Sequence, residues 1–164
     1  MLTQAKLGTE LANMAPEEEE SNAINNLAGA WEKYFELATV TGVSIVPGSL
    51  ASALSAMKAV LVGISVDGAG AAKFQAGIQA FWTTVVASSP TIWITAPPLI
   101  SATPPPSLGT IAAALQPVFD SNKTGKLALP AAANAIAAVL HPIQLGGLAV
   151  LGPPPPGGTS MPIL

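Results

Sequence analysis

Proline placement limits what this chain can fold into more than any other feature. Of its 16 prolines, five fall at 97, 98, 104, 105 and 106, and five more at 153 to 156 and 162. A proline inside a helix removes a backbone hydrogen bond and clashes with the preceding turn, at a cost of about 3 kcal/mol. Neither cluster can therefore sit inside a helix. Such runs favour extended, hydrogen-bond-poor backbone that reaches about 3.1 Å per residue. The rest of the chain must fold between these stiff pieces. Pro16 and Pro130, by contrast, stand where a first-turn helix proline does no harm.

Between the clusters, alanine, valine and leucine recur at the spacing of packed helices. The pattern predicts a mainly α protein of three pseudo-repeated helix–loop–helix units, each followed by a short β-like segment. The first unit, 1–48, starts with a helix over Leu7–Met14. Its second helix opens at Ala15-Pro16 and runs through Ala23, Leu27, Trp31 and Leu37 to a β-like run at Val40–Val46. The second, 49–96, begins at Ser49–Leu54, turns at Asp67–Gly70, continues through Phe74–Trp82 and ends in the run Thr91–Thr95. A Pro-rich linker, 97–107, leads to the third unit, 108–151. That unit opens at Ser107–Leu115, loops over 120–128, resumes from Pro130 to Leu140 and closes in Leu145–Leu151. An extended arm, 152–164, completes the chain. Ser49 and Ser107 are expected as N-caps, their hydroxyls satisfying a first-turn N–H.

Only 9% of the residues are charged, against about 25% in ordinary soluble domains. With a net charge of −3 and a hydrophobic half, the surface must be covered by an oligomer or by lipid. Lipid is disfavoured, because a spanning helix needs about 20 consecutive apolar residues. Ala76–Ala96 is interrupted by Gln79, Thr83, Thr84, Ser88, Ser89 and Pro90, and Leu50–Val66 by Ser52, Ser55, Lys58 and Gly63. No signal peptide is expected, since Lys6 and Glu10 come too early. The lack of cysteine excludes disulfides and thiolate metal sites. The cationic residues are six scattered lysines without an arginine, so no basic patch or bidentate base reader is available, and no nucleic-acid partner is expected.

One segment resembles a known site. Asp120-Ser-Asn-Lys-Thr-Gly-Lys-Leu-Ala-Leu-Pro-Ala131 is similar to an EF-hand calcium loop, with Asp120, Asn122 and Thr124 at ligand positions and Gly125 at the sharp turn. The bidentate glutamate expected at its end is Ala131, and Lys123 and Lys126 bring positive charge. The resemblance implies helix–loop–helix geometry without the metal. His141, the single histidine, stands at an expected helix end before Pro142, where a cation complements the dipole. Glu17 to Glu20 occupy a helix first turn and are explained by the same dipole. Glu32 and Glu36 lie four apart on one helix face and read as a solvated stripe. Gly68-Ala-Gly70 has neither the glycine spacing nor the Lys-Ser/Thr of a phosphate loop. A serine nucleophile would find Asp67 and Asp120 alone outside the glutamate-rich helix, with no base poised between. No catalytic residue, cofactor-binding residue or metal ligand is expected, and the chain reads as no enzyme. Trp31, Tyr34 and Phe35, and Phe74, Phe81 and Trp82, are expected core anchors of two helices, while Trp93 alternates with Ile92 and Ile94 and is a candidate interface residue.

The sequence as a whole also carries a resemblance. It has a Leu-x-x-Glu-Leu opening, Ala-Gly-Ala-Trp-Glu-Lys-Tyr-Phe (28–35), Gly-Ile-Gln-Ala-Phe-Trp (77–82), Thr-Pro-Pro-Pro-Ser-Leu (103–108) and Leu-Gly-Gly-Leu-Ala (145–149). In these it resembles small virion structural proteins from the tail, baseplate or neck of tailed bacteriophages. The resemblance implies a non-enzymatic assembly role in the virion, with other virion structural proteins and symmetry-related copies of itself as partners, and no cofactor. The apolar Met161-Pro-Ile-Leu164 then reads as an arm laid on a neighbouring subunit. A cellular helical adaptor and a degenerate EF-hand-like binding module are the alternatives.

Overall fold

In a computed structural model of the chain, which describes residues 2–14, 20–36, 39–40, 43–44, 46–47, 50–64, 68–94, 99–123, 129–146, 148–151 and 160–162, Thr3 starts the first helix. Its backbone is extended and its hydroxyl accepts from the Lys6 N–H at 3.2 Å, the N-cap arrangement that serine and threonine favour. Helix α1 (Gln4–Ala12) buries Leu7, Gly8 and Leu11. Helix α2 (Glu20–Phe35) buries Ile24, Ala28, Trp31 and Phe35, a stripe at alternating four- and three-residue steps. Helix α3 (Ala51–Leu61) buries Ala53, Leu54, Met57 and Leu61 and ends at Gly63, whose φ of 76° only glycine adopts freely. The long α4 (Gly68–Ile92) buries Ala71, Phe74, Ile78, Phe81, Trp82 and Val85. Helices α5 (Ile111–Lys123) and α6 (Leu129–Gln144) follow, and Pro130 occupies the first turn of α6. The chain is mainly helical.

The helices share one buried core, to which all of them contribute. Helix α1 lies along α6, and α4 lies between α3 and α5. Two glycines allow the closest approaches. A methyl group on Gly8 would come 2.5 Å from the Asn134 side chain of α6, and one on Gly77 would come 2.9 Å from Leu61 of α3. Between α2 and α4 the contact is made by aromatic rings. Phe35 and Phe81 meet as a tilted pair with centroids 5.2 Å apart, and Trp31 meets Phe81 edge-on at 6.0 Å. Such pairs add roughly 0.5–1.5 kcal/mol each beyond the area they bury. The expected anchors Trp31, Tyr34, Phe35, Phe74, Phe81 and Trp82 are all buried.

Short strands lie between the helices along the chain and after the last of them. Strand β1 (Thr39–Val40) pairs with β2 (Val43–Ser44), and β3 (Val46–Pro47) pairs with β4 (Trp93–Ile94), all antiparallel. The second ladder ties the chain just before α3 to the chain just after α4. A three-stranded antiparallel sheet of order β5-β6-β7 joins Leu99–Thr103, Leu148–Leu151 and Ser160–Pro162.

Several sequence expectations change here. The N-cap of α3 is Leu50, without a side-chain cap bond, because burying Leu50 in the core outweighs capping; Ser49 lies outside the described residues. Ser107 sits inside a 3-10 turn, Pro106–Thr110, since the fixed φ of Pro106 starts helical geometry one residue earlier. Helix α4 runs past Pro90 to Ile92, leaving Trp93 and Ile94 extended, because β3 offers them two partner residues. Within the linker, Leu99–Thr103 is hydrogen-bonded to β6, as its five residues between the prolines all keep their N–H. Residues 160–162, expected on a neighbouring subunit, pair with β6 of their own chain.

Candidate functional site

The apolar stripe of α6, Ala133, Ala137 and Leu140, has its next position at Gln144. There the helix buries an amide, at 0% exposure. Gln144 Oε1 accepts from the Trp82 indole N–H at 2.6 Å, joining α6 to α4. One turn back, the Tyr34 hydroxyl lies 2.9 Å from His141 Nδ1, joining α2 to α6. These contacts form a polar seam beside the aromatic core. Gln144 Nε2 and Trp31 Nε1 are also buried and have no hydrogen-bond partner among the described residues.

Burial decides the protonation of this seam. It pushes the Tyr34 phenol well above its ordinary value of 10. It also lowers His141 from its ordinary 6.5, favouring the neutral imidazole. The hydroxyl and Nδ1 share one hydrogen bond, and the imidazole tautomer sets which of them donates. His141 stands in the last turn of α6, as the sequence reading placed it, and burial works there against its charged form. A phenol held protonated and a neutral imidazole make a helix–helix clamp. Sequence reasoning missed the pairs Trp82–Gln144 and Tyr34–His141, although a glutamine in an otherwise apolar stripe was the available signal.

Charge gathers at one open cleft of about 320 Å³ lined by Glu10, Asn13, Asn25, Asn26, Gly29 and Lys33, among others. Glu10 accepts from Lys6 at 2.5 Å and pairs with Lys33 at 3.3 Å. The Lys6 hydrogen bond above all, with Lys33 adding to it, holds the Glu10 carboxyl below its ordinary 4.5. Glu10 is shared by the two lysines, so its carboxylate is not offered to a ligand. A second cleft runs between α2 and α3, where Lys58 Nζ donates to Asn25 Oδ1 at 3.2 Å beside Val62, which is 61% exposed.

The residues weighed from sequence are dispersed. Asp120 and Asn122, placed in a calcium loop by resemblance, lie within α5. The helix thus continues through the first ligand positions; residues 124–128 lie outside the described residues. Glu32 and Glu36 are exposed, Glu20 opens α2, and Glu17 to Glu19 lie outside the described residues. Glu20 instead accepts from the Gly63 N–H, tying α2 to the end of α3. Gly68-Ala-Gly70 is the first turn of α4. For Trp93 the structure describes the backbone, paired with Pro47. Among the described residues, no group of three or more His, Cys, Asp or Glu could hold a metal ion, and no helix is long and apolar enough to cross a membrane.

The described feature best suited to recognition is the β5-β6-β7 sheet, whose outer strands β5 and β7 each leave one edge unpaired among the described residues. Compared with family models, curated proteins and solved structures, the chain gives no match to any of the three.

Proposed function

We propose that this chain is a non-enzymatic assembly protein of a bacteriophage virion, a minor tail, baseplate or neck component working through protein–protein contacts. Its partners in this reading are symmetry-related copies and other virion structural proteins, in the virion, and it needs no cofactor. The observation that carries the reading is a small sheet whose outer strands each have one edge unpaired among the described residues, in a chain with 9% charged residues. Open edges offer rows of unpaired N–H and C=O groups that a neighbour can extend by strand addition. Low charge is a liability for a free monomer and harmless once copies cover the surface. The polar seam supports the reading too, because Trp82, Gln144, Tyr34 and His141 act on one another in fixing helix positions. Three pseudo-repeated units would give such a part its stiff helical modules. Size-exclusion chromatography with light scattering tests the proposal. A mass of at least twice the 16.4 kDa chain is expected. A monomer at every concentration would overturn it.

A further inference from the structure

Among the described residues, Gln144 is the amide that lies wholly in the core, at 0% exposure in the apolar stripe of α6. Its orientation is fixed by its partner. An indole N–H donates and cannot accept, so the 2.6 Å contact with Trp82 Nε1 requires the amide oxygen on that side. Exchanging oxygen for nitrogen would set two donors against each other. The NH2 group must therefore point elsewhere within the core, and it has no hydrogen-bond partner among the described residues. A buried donor without an acceptor loses its hydration and regains nothing, which native cores rarely tolerate.

What could accept from this group follows from its surroundings. Trp82 packs against Phe35 and Phe81, with ring centroids 5.8 and 6.1 Å apart, and Phe35 leads on to Trp31 at 5.3 Å. Ring faces accept hydrogen bonds only weakly. A second unpaired donor, Trp31 Nε1, lies in the same core, so the core is short of acceptors. A cation would be repelled by N–H groups, and an anion would be buried at high cost without a counter-charge. A small neutral acceptor remains. Water is the ordinary one, at about one buried molecule per 27 residues in globular proteins, each making about three hydrogen bonds. Its own hydrogens find acceptors at the same helix end. Helix α6 stops at Gln144, and the last carbonyls of a helix lack partners within it. Those of His141 and Ile143 each accept one N–H, from Leu145 and Gly146, and a carbonyl has a second lone pair.

We infer that Gln144 Nε2 donates to a water molecule enclosed beside the Trp82 bond, so that the seam between α4 and α6 is a binding site for one internal water. The water completes the amide, and the completed amide holds the Trp82 indole in place. Nothing in this depends on the assembly reading, since the site lies inside a single chain.

NMR of the full-length, 15N-labelled chain tests this. The side-chain NH2 protons of Gln144, assigned through bonds, are expected to give cross-peaks at the water frequency that change sign between laboratory-frame and rotating-frame spectra. That sign change marks a lasting contact with a bound water, whereas proton exchange keeps one sign in both. The cross-peaks should persist in Tyr34→Phe, which removes the exchanging hydroxyl of the seam. In Gln144→Met, a side chain of similar length without the amide, the oxygen-17 relaxation dispersion of the solvent should fall by the amplitude of one water. Should Gln144→Met not fold, the spectra of the parent and of Tyr34→Phe decide alone. Gln144 NH2 protons without a water cross-peak, a cross-peak lost in Tyr34→Phe, or a dispersion amplitude unchanged in a folded Gln144→Met would each overturn the water site.

Discussion

Gly77→Ala and Gly29→Ala make the same chemical change in two helix interiors and should have opposite effects. Alanine is favoured over glycine within a helix by about 1 kcal/mol. At Gly29, in α2, nothing lies within 4 Å of the added methyl, so the whole gain should appear. At Gly77, in α4, the methyl would stand 2.9 Å from Leu61 Cδ2, 3.1 Å from Leu61 Cγ and 3.5 Å from Met57 Cγ. Leu61 and Met57 are both fully buried and have no free space to move into. Overpacking of this kind costs about 1–3 kcal/mol, which exceeds the propensity gain or cancels it. Thermal unfolding followed by circular dichroism should show Gly29→Ala raising Tm by about 2–4 °C, and Gly77→Ala leaving it unchanged or lowering it by a similar amount. Placed on a Leu61→Ala background, Gly77→Ala should become stabilising, because the obstructing atoms are gone. If Gly77→Ala stabilises the unmodified chain as much as Gly29→Ala does, the close approach of α3 to α4 is wrong.

Two other predictions concern the polar seam. Trp82→Phe leaves the Gln144 carbonyl unpaired and Gln144→Leu leaves the indole N–H unpaired, each at about 1–3 kcal/mol. The double variant removes both partners, so in urea unfolding the single losses should sum to more than the double by well over the ~0.5 kcal/mol expected of independent sites. Strict additivity would rule out the bond. The lowered pKa of His141 means that the unfolded chain binds its proton more readily than the folded one. Stability from this group is therefore complete above 6.5 and is lost as pH falls from there through the folded value. Urea midpoints measured between pH 8 and pH 5 should decline more steeply for the parent than for His141→Gln, and equal slopes would refute the assignment.

Much of the helical content was legible in the residues. The aromatic anchors Trp31, Tyr34, Phe35, Phe74, Phe81 and Trp82 were read correctly, whereas the run Ala23, Leu27, Trp31 named for α2 shares only Trp31 with the buried stripe Ile24, Ala28, Trp31 and Phe35. Gly63 at the end of α3 and Pro130 at the start of α6 act through backbone constraints that neighbouring residues carry with them. Capping was less legible. A serine before an apolar run signals a cap, yet burial of Leu50 and the fixed φ of Pro106 moved both helix starts.

The sequence by itself determined that most of the chain coils and that its large aromatic side chains on α2 and α4 are hidden, but not where proline is tolerated, since α4 runs past Pro90 and Pro162 stands in a ladder. Tertiary structure alone decided that α1 lies on α6, with Gly8 against Asn134, that Gln144 finds Trp82, and that Tyr34 finds His141, whose burial lowers its pKa. Those partners come from distant parts of the chain. Periodicity tells a residue which face to bury but not whose face it meets, and protonation follows from the environment that meeting creates.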